Sequence, residues 1–278
     1  MPIRICPTGG KNPFFVPGDS PEYIPEARGL HHLYHPPKPP LFVFGLHPGD
    51  FSYAEKDLTI TIDRSGPSPR YERECTGNRI RKILAISPEA AIIISPVEPV
   101  NLPVEIAHHL EIVFPLIVMQ PGESMAVNLK FPVEIGVFLQ TGMDTSVFDI
   151  FSLNPSKYSL YGKPVTGLIT RYYESDIYSE PPETDPHREG VMTLTIANHY
   201  TGAVEVSRAV FECHAMKLFY GSHVGMNARM EISSSAIAVT SFEETPPAEC
   251  PTRGIDLYSS RKLPIIPERG FYMDSGVV

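Results

Sequence analysis

The six residues Arg171-Tyr172-Tyr173-Glu174-Ser175-Asp176 form the densest polar cluster in the chain. In an extended strand alternate side chains share a face, so Arg171, Tyr173 and Ser175 point one way and Tyr172, Glu174 and Asp176 the other. Glu174 and Asp176 then stand one strand step apart, about 7 Å along the chain, a spacing that suits a chelated cation or an acid/base pair. Tyr158, Tyr161 and Tyr178 are close enough in sequence to give such a cleft the aromatic walls that sugars or bases favour. The competing description is a solvated sheet face on which Arg171 pairs with one carboxylate and contributes little.

Other reactive residues fit known chemistry less well. His31, His32 and His35 cluster near the N-terminus, but His35 is followed by Pro36 and Pro37. The residue before a proline avoids helix, so the i, i+4 spacing of His31 and His35 does not make a helical ligand pair. His108 and His109 point to opposite faces of a strand, as do Cys213 and His214, so neither pair shares one ion or one reaction. Scattered surface histidines and a buried structural cysteine are the plainer readings. Glu98 and Glu134 lie in apolar surroundings, where a buried carboxyl either has a raised pKa or is paired. Lys130 shares a strand face with Glu134 if no bulge intervenes at Pro132, so a structural ion pair is expected there. The chain holds no G-x-S-x-G elbow, P-loop, H-E-x-x-H or dinucleotide fingerprint. No catalytic residue, metal site or cofactor is expected.

The elements that position these residues read as strands. Asp57 to Asp63 alternates strictly, with Leu58, Ile60 and Ile62 on one face. Arg79 to Ile86, Ala91 to Ile94, Val133 to Gln140 and Val147 to Leu153 are further candidates. His109 to Met119 and Met125 to Phe131 flank Gln120-Pro121-Gly122-Glu123, a type II turn that suggests a hairpin. Gly167 to Ile177 is a long strand. Val191 to Ala197 and Ala203 to Cys213 read as a second hairpin around Asn198–Gly202, followed by strands over Met216–Tyr220 and Met226–Ser241. Thirty prolines among 278 residues, roughly twice average usage, break helix interiors. The expected fold is all-β: two packed antiparallel β-sandwich-like units with a proline-rich arm and a tail. The arm covers residues 1–40, the units 41–155 and 156–242, and the tail 243–278, packing back on the body.

Composition limits the partners. The chain carries 23 basic and 32 acidic residues, net −9, which argues against non-specific nucleic-acid binding. No apolar run approaches the roughly twenty residues of a membrane span, and the first seven residues lack a signal-peptide core. Cys6, Cys75, Cys213 and Cys250 are far apart, with no C-x-x-C pair, so reduced thiols and a cytoplasmic location are expected.

Several blocks are similar to a known family. They are Pro96-Val97-Glu98-Pro99-Val100-Asn101-Leu102-Pro103, Lys130-Phe131-Pro132-Val133-Glu134-Ile135-Gly136-Val137-Phe138 and Asp149-Ile150-Phe151-Ser152-Leu153. Lys157-Tyr158-Ser159-Leu160-Tyr161-Gly162, Arg171 to Glu180, Glu189-Gly190-Val191-Met192 and Leu257 to Pro264 continue the pattern. From about residue 40 to 270 the chain resembles the archaeal DUF432 family of uncharacterised proteins. The resemblance implies an archaeal, soluble protein with no assigned activity, so no catalytic role is carried over. The first forty residues read as an extension outside the family pattern.

Two functions follow as expectations. The first is a non-enzymatic structural or protein-binding module, self-associating as a homodimer through its strand edges and proline-rich arms. The second is a small-molecule or carbohydrate binder, conceivably an enzyme, with a polar cleft formed by Arg171, Tyr173, Glu174, Asp176 and Tyr158.

Overall fold

A computed structural model describes residues 43–277 apart from 67, 88–89, 103–106, 258–269 and 275. The proline-rich arm with its histidines, and the apolar stretch 263–266, lie outside the described residues. In chain order the first strands are β1 (Gly45–His47), β2 (Phe51–Glu55), β3 (Leu58–Asp63), β4 (Arg70–Cys75), β5 (Asn78–Ile83) and β6 (Ala91–Val97). Next come β7 (His109–Met119), β8 (Ser124–Pro132), β9 (Glu134–Thr141), β10 (Asp144–Phe151), β11 (Tyr158–Tyr161) and β12 (Leu168–Glu174). The last are β13 (Glu189–Asn198), β14 (Val204–Glu212), β15 (Phe219–Tyr220), β16 (Val224–Ser234), β17 (Ile237–Phe242), β18 (Thr252–Arg253) and β19 (Phe271–Met273). A 3₁₀ turn at Cys213–Ala215 follows β14. No helix among the described residues is long and apolar enough to cross a membrane.

The all-β class read from the sequence is the observed one, built as four packed sheets. A meander β2-β3-β4-β5 lies against the sheet β1-β6-β9-β10. The other two sheets are β11-β12-β7-β14 and the larger β18-β15-β16-β13-β8, which β17 and β19 extend from β16. Alternation accounts for the meander: Leu58, Ile60 and Ile62 are all buried, while Thr59 is exposed and Thr61 half-buried. Inward residues of all four sheets join one continuous apolar core.

Both expected hairpins turn out to be crossings between sheets. The Pro121–Gly122 turn forms as anticipated, with Gly122 at φ +76° and the Glu123 amide donating to the Gln120 carbonyl at 3.2 Å. Yet β7 pairs with β12 and β14 whereas β8 pairs with β13. A type II turn has the wrong twist for a tight two-stranded ladder and splays the strands it joins, here into facing sheets. The β13–β14 connection crosses back beside it. Asn198, buried at its base, donates from Nδ2 to the carbonyls of Met119, Gln120 and Gly202 at 3.0–3.2 Å, locking the two crossings together.

Two pairings are parallel, β12 with β7 and β13 with β16, so the sheets are mixed rather than wholly antiparallel. Parallel neighbours need long excursions, and the route from β13 to β16 runs through β14 in the other sheet and through β15. Strand β13 keeps its alternation, with Met192, Leu194 and Ile196 buried on one face and Thr193 and Thr195 half-buried on the other. From the C-terminal segment, β18 pairs with β15 and β19 with β17.

Candidate functional site

Strand β12 lies between β11 and β7, and this placement determines what Arg171 faces. Its ladder partners are Tyr158 on β11 and Leu110 on β7. The side chain is only 2% exposed. Tyr158 lies alongside, with its ring centroid 5.9 Å from the guanidinium carbon, and donates its own hydroxyl to the Leu102 carbonyl at 2.6 Å. Among the described residues Nη2 donates to the Pro155 carbonyl at 3.5 Å, Nε and Nη1 meet no acceptor in good geometry, and the Tyr158 hydroxyl is near enough to favour the charge. Burial lowers the pKa of Arg171, against the pull of Glu134 and Tyr158.

A cleft of about 290 Å³ opens beside this arginine, lined by Pro132, Asn154, Pro155, Lys157, Arg171, Tyr172, Tyr173, Glu174 and Glu189. Its carboxylates are engaged. Glu189 accepts from Lys130 Nζ at 3.1 Å and from the Tyr173 hydroxyl. Glu174, at the exposed end of β12, accepts from the Tyr172 hydroxyl at 2.6 Å. Burial, reinforced by Glu189, pushes the Tyr173 hydroxyl pKa up, so it remains a donor across the physiological range. Lys157, at the mouth, is exposed. Next to Glu189, Gly190 has no room for a side chain: a Cβ there would lie 2.4 Å from Phe131 Cζ and 2.9 Å from the Val224 carbonyl oxygen.

Of the residues singled out in the sequence, Arg171, Tyr173 and Glu174 line this cleft and Tyr158 braces it. Asp176 does not take part. The strand ends at Glu174, and the following backbone turns to let Ser175 Oγ accept from the Lys130 amide at 2.8 Å, leaving Asp176 exposed outside the lining. The cleft also uses Glu189, Asn154 and Lys157, which come from segments whose convergence no local pattern announces.

Behind the cleft lies a buried carboxyl. Glu134 is fully buried and accepts from the Asn101 amide at 3.1 Å through Oε2, while Oε1 has no partner in good geometry among the described residues. Burial pushes its pKa up to about 8, against the opposing field of Arg171 and the Asn101 hydrogen bonds. The expected Lys130–Glu134 pair does not form. At Val133 the chain leaves the β8 sheet and enters the β9 sheet, so the two residues no longer share a strand face and Lys130 pairs with Glu189 instead.

The opposite face of β12 carries a second buried network. Glu111, 2% exposed, accepts from Thr170 Oγ1 at 2.8 Å, from the Ser159 hydroxyl and from Arg208 Nη1 at 3.0 Å. The histidine and cysteine pairs separate, although Cys213 and His214 sit in the 3₁₀ turn after β14 rather than in the strand expected, and His108 lies just before β7. His108 stacks on His214 with centroids 5.0 Å apart, while His109 packs against Phe271. Cys213 is fully buried and burial pushes its pKa well up, whereas His214 turns toward Glu212. Among the described residues no group of three or more His, Cys, Asp or Glu side chains is placed to hold a metal ion.

Residues 43–274 match the family described as "Protein of unknown function (DUF432)", and the chain belongs to that family. No curated protein and no solved structure matches it.

Proposed function

We propose that this DUF432 protein is a non-enzymatic binding module whose ligand site is the cleft beside Arg171. The observation that carries the reading is an arginine only 2% exposed in the wall of a cleft, with Nε and Nη1 unpartnered among the described residues. Unsatisfied buried donors are costly, so they mark places where a partner from outside completes the structure. The surrounding tyrosines offer flat apolar area with polar tips, which suits a small organic molecule. Binding rather than catalysis is supported by the occupied state of both carboxylates, Glu174 by a tyrosine and Glu189 by a tyrosine and a lysine. The free, buried thiols of Cys75, Cys213 and Cys250 support a reducing, cytoplasmic setting as part of the same reading.

The test is a thermal-shift screen of small organic acids, sugars and nucleosides on the full chain. A true ligand changes its affinity in Glu174→Ala and Tyr173→Phe and keeps it in Asp176→Ala, whose side chain is outside the lining. Ligands indifferent to all three variants, or cleft variants that melt earlier with unchanged affinity, contradict the proposal.

A second reading, self-association into a homodimer, is supported by one edge. Among the described residues β11 pairs only with β12, and this hairpin exposes Leu160, Val165, Leu168 and Ile169. An apolar strand edge of this kind invites pairing with another strand, and a second copy supplies one across a two-fold axis. Light scattering then gives a dimer that Leu160→Glu dissociates; a wild-type monomer at high concentration contradicts it.

A further inference from the structure

Arg171 is buried yet makes no ion pair among the described residues, and its single described hydrogen bond is at the outer limit of length. The carboxyl whose field acts most strongly on Arg171, Glu134, makes no ion pair or hydrogen bond with it among the described residues. Glu189 is already neutralised by Lys130, and Glu174 is committed to Tyr172. Lys157 adds a further cation to the lining. A buried charge without a partner costs several kcal/mol, so an arrangement of this sort is stable only where something negative completes it.

We infer that the cleft receives the carboxylate or phosphate group of a small organic acid or phosphoester, with the guanidinium of Arg171 as its counter-ion and Lys157 beside it. This rests on the cleft being the binding site proposed above. A guanidinium presents parallel N–H groups that match two oxygens of one such anion; each such edge includes Nη2, whose contact with Pro155 must yield, and either Nε or Nη1 supplies the second, unpartnered donor. Both atoms are covered in the unliganded chain, and the 3.5 Å tether to Pro155 is weak enough for an incoming oxyanion to draw the side chain toward the cleft. A neutral sugar satisfies donors without compensating charge, which makes it the poorer occupant. The modest volume, about 290 Å³, selects a compact ligand.

The test uses the full chain in low-chloride buffer, titrated calorimetrically with inorganic phosphate, with acetate and with a neutral methyl glucoside. Saturable binding of phosphate or acetate is expected, and the tighter of the two tells a phosphoester from an organic acid. Arg171→Gln weakens that binding by about tenfold or more, the loss of a charge-assisted bidentate contact, while Arg229→Gln on the distant surface leaves it unchanged. Should Arg171→Gln fail to fold, the Arg171 Nε–H signal of the wild-type protein, followed by NMR, must shift along the same saturation curve. Anion binding that is indifferent to Arg171→Gln, or an Nε–H signal that never moves, overturns the inference. If the glucoside binds in a Glu174-sensitive way and neither anion does, the oxyanion inference fails while the cleft reading stands. If none of the three probes binds in an Arg171-sensitive or Glu174-sensitive way, both fail.

Discussion

Arg73 and Arg171 are both nearly inaccessible arginines on central strands, 3% and 2% exposed, but their surroundings differ. Arg73, on β4, meets Asp149 of the facing sheet at 2.8 Å, donates from Nη1 to Cys75 Sγ at 2.6 Å and covers the Phe151 ring at 4.5 Å. Asp149 also accepts from the Tyr71 hydroxyl at 2.8 Å, and Lys82 stands 3.7 Å away. Burial works against the charge on Arg73, but Asp149 outweighs it and the pKa ends above its ordinary value. For Arg171 burial prevails, and the pKa ends below. The first arginine joins the meander to its neighbouring sheet. The second feels the field of Glu134 but makes no ion pair among the described residues, and that difference is the ground for the ligand proposed beside it.

The contrast can be sharpened or broken by experiment. The largest effect belongs to Asp149→Asn, which removes the counter-charge of Arg73 and leaves it and Tyr71 to share one amide oxygen; urea denaturation is expected to show a loss of about 3–5 kcal/mol. A loss under about 1 kcal/mol would make the two arginines alike. Next comes the pH dependence of Glu134. Its folded pKa, about 8, lies above the ordinary carboxyl value, so the fold binds this proton more tightly than the unfolded chain does. That contribution is fully present below about pH 4.5 and is lost as pH rises toward 8, at about 1.4 kcal/mol per unit. Relative to Glu134→Gln, wild-type stability therefore falls across this window and levels off above it; parallel curves contradict a buried, proton-holding Glu134. The smallest effects come from two tyrosines. Tyr71→Phe removes a buried hydrogen bond to a charged group and is expected to cost about 1.5–3 kcal/mol. Tyr173→Phe, at the partly open cleft, is expected to cost about 1 kcal/mol or less, and a reversed order would place the structural joint at the cleft.

How much of this is legible in the sequence depends on how local the cause is. The alternation of Leu58, Ile60 and Ile62 and the Pro121–Gly122 turn are local, and both are found as read. The partners those segments choose are not local: β7 and β8 separate at their turn, and β13 finds a parallel neighbour that begins some twenty-five residues beyond its end. The same division runs through the site. Arg171 and Tyr173 share a face because of strand geometry, which the chain itself shows. Glu189, Asn154 and Lys157 arrive from loops and strand ends, and only the assembled sheets bring them to one cleft. Asp176 is excluded because β12 stops two residues before it, and Lys130 turns to Glu189 because the chain changes sheets at Val133. Strand ends and sheet changes depend on long-range packing, and a six-residue pattern cannot encode them.

The account turns on Arg171 being a charge the fold tolerates rather than one it depends on. Chemical denaturation of Arg171→Met beside Arg73→Met tests this most directly. Arg73→Met, which leaves Asp149 buried without its main partner, is expected to lose about 3–5 kcal/mol, while Arg171→Met stays within about 1 kcal/mol of wild type or gains stability. Losses of equal size in the two variants would make Arg171 a structural cation and remove the ground for a ligand beside it.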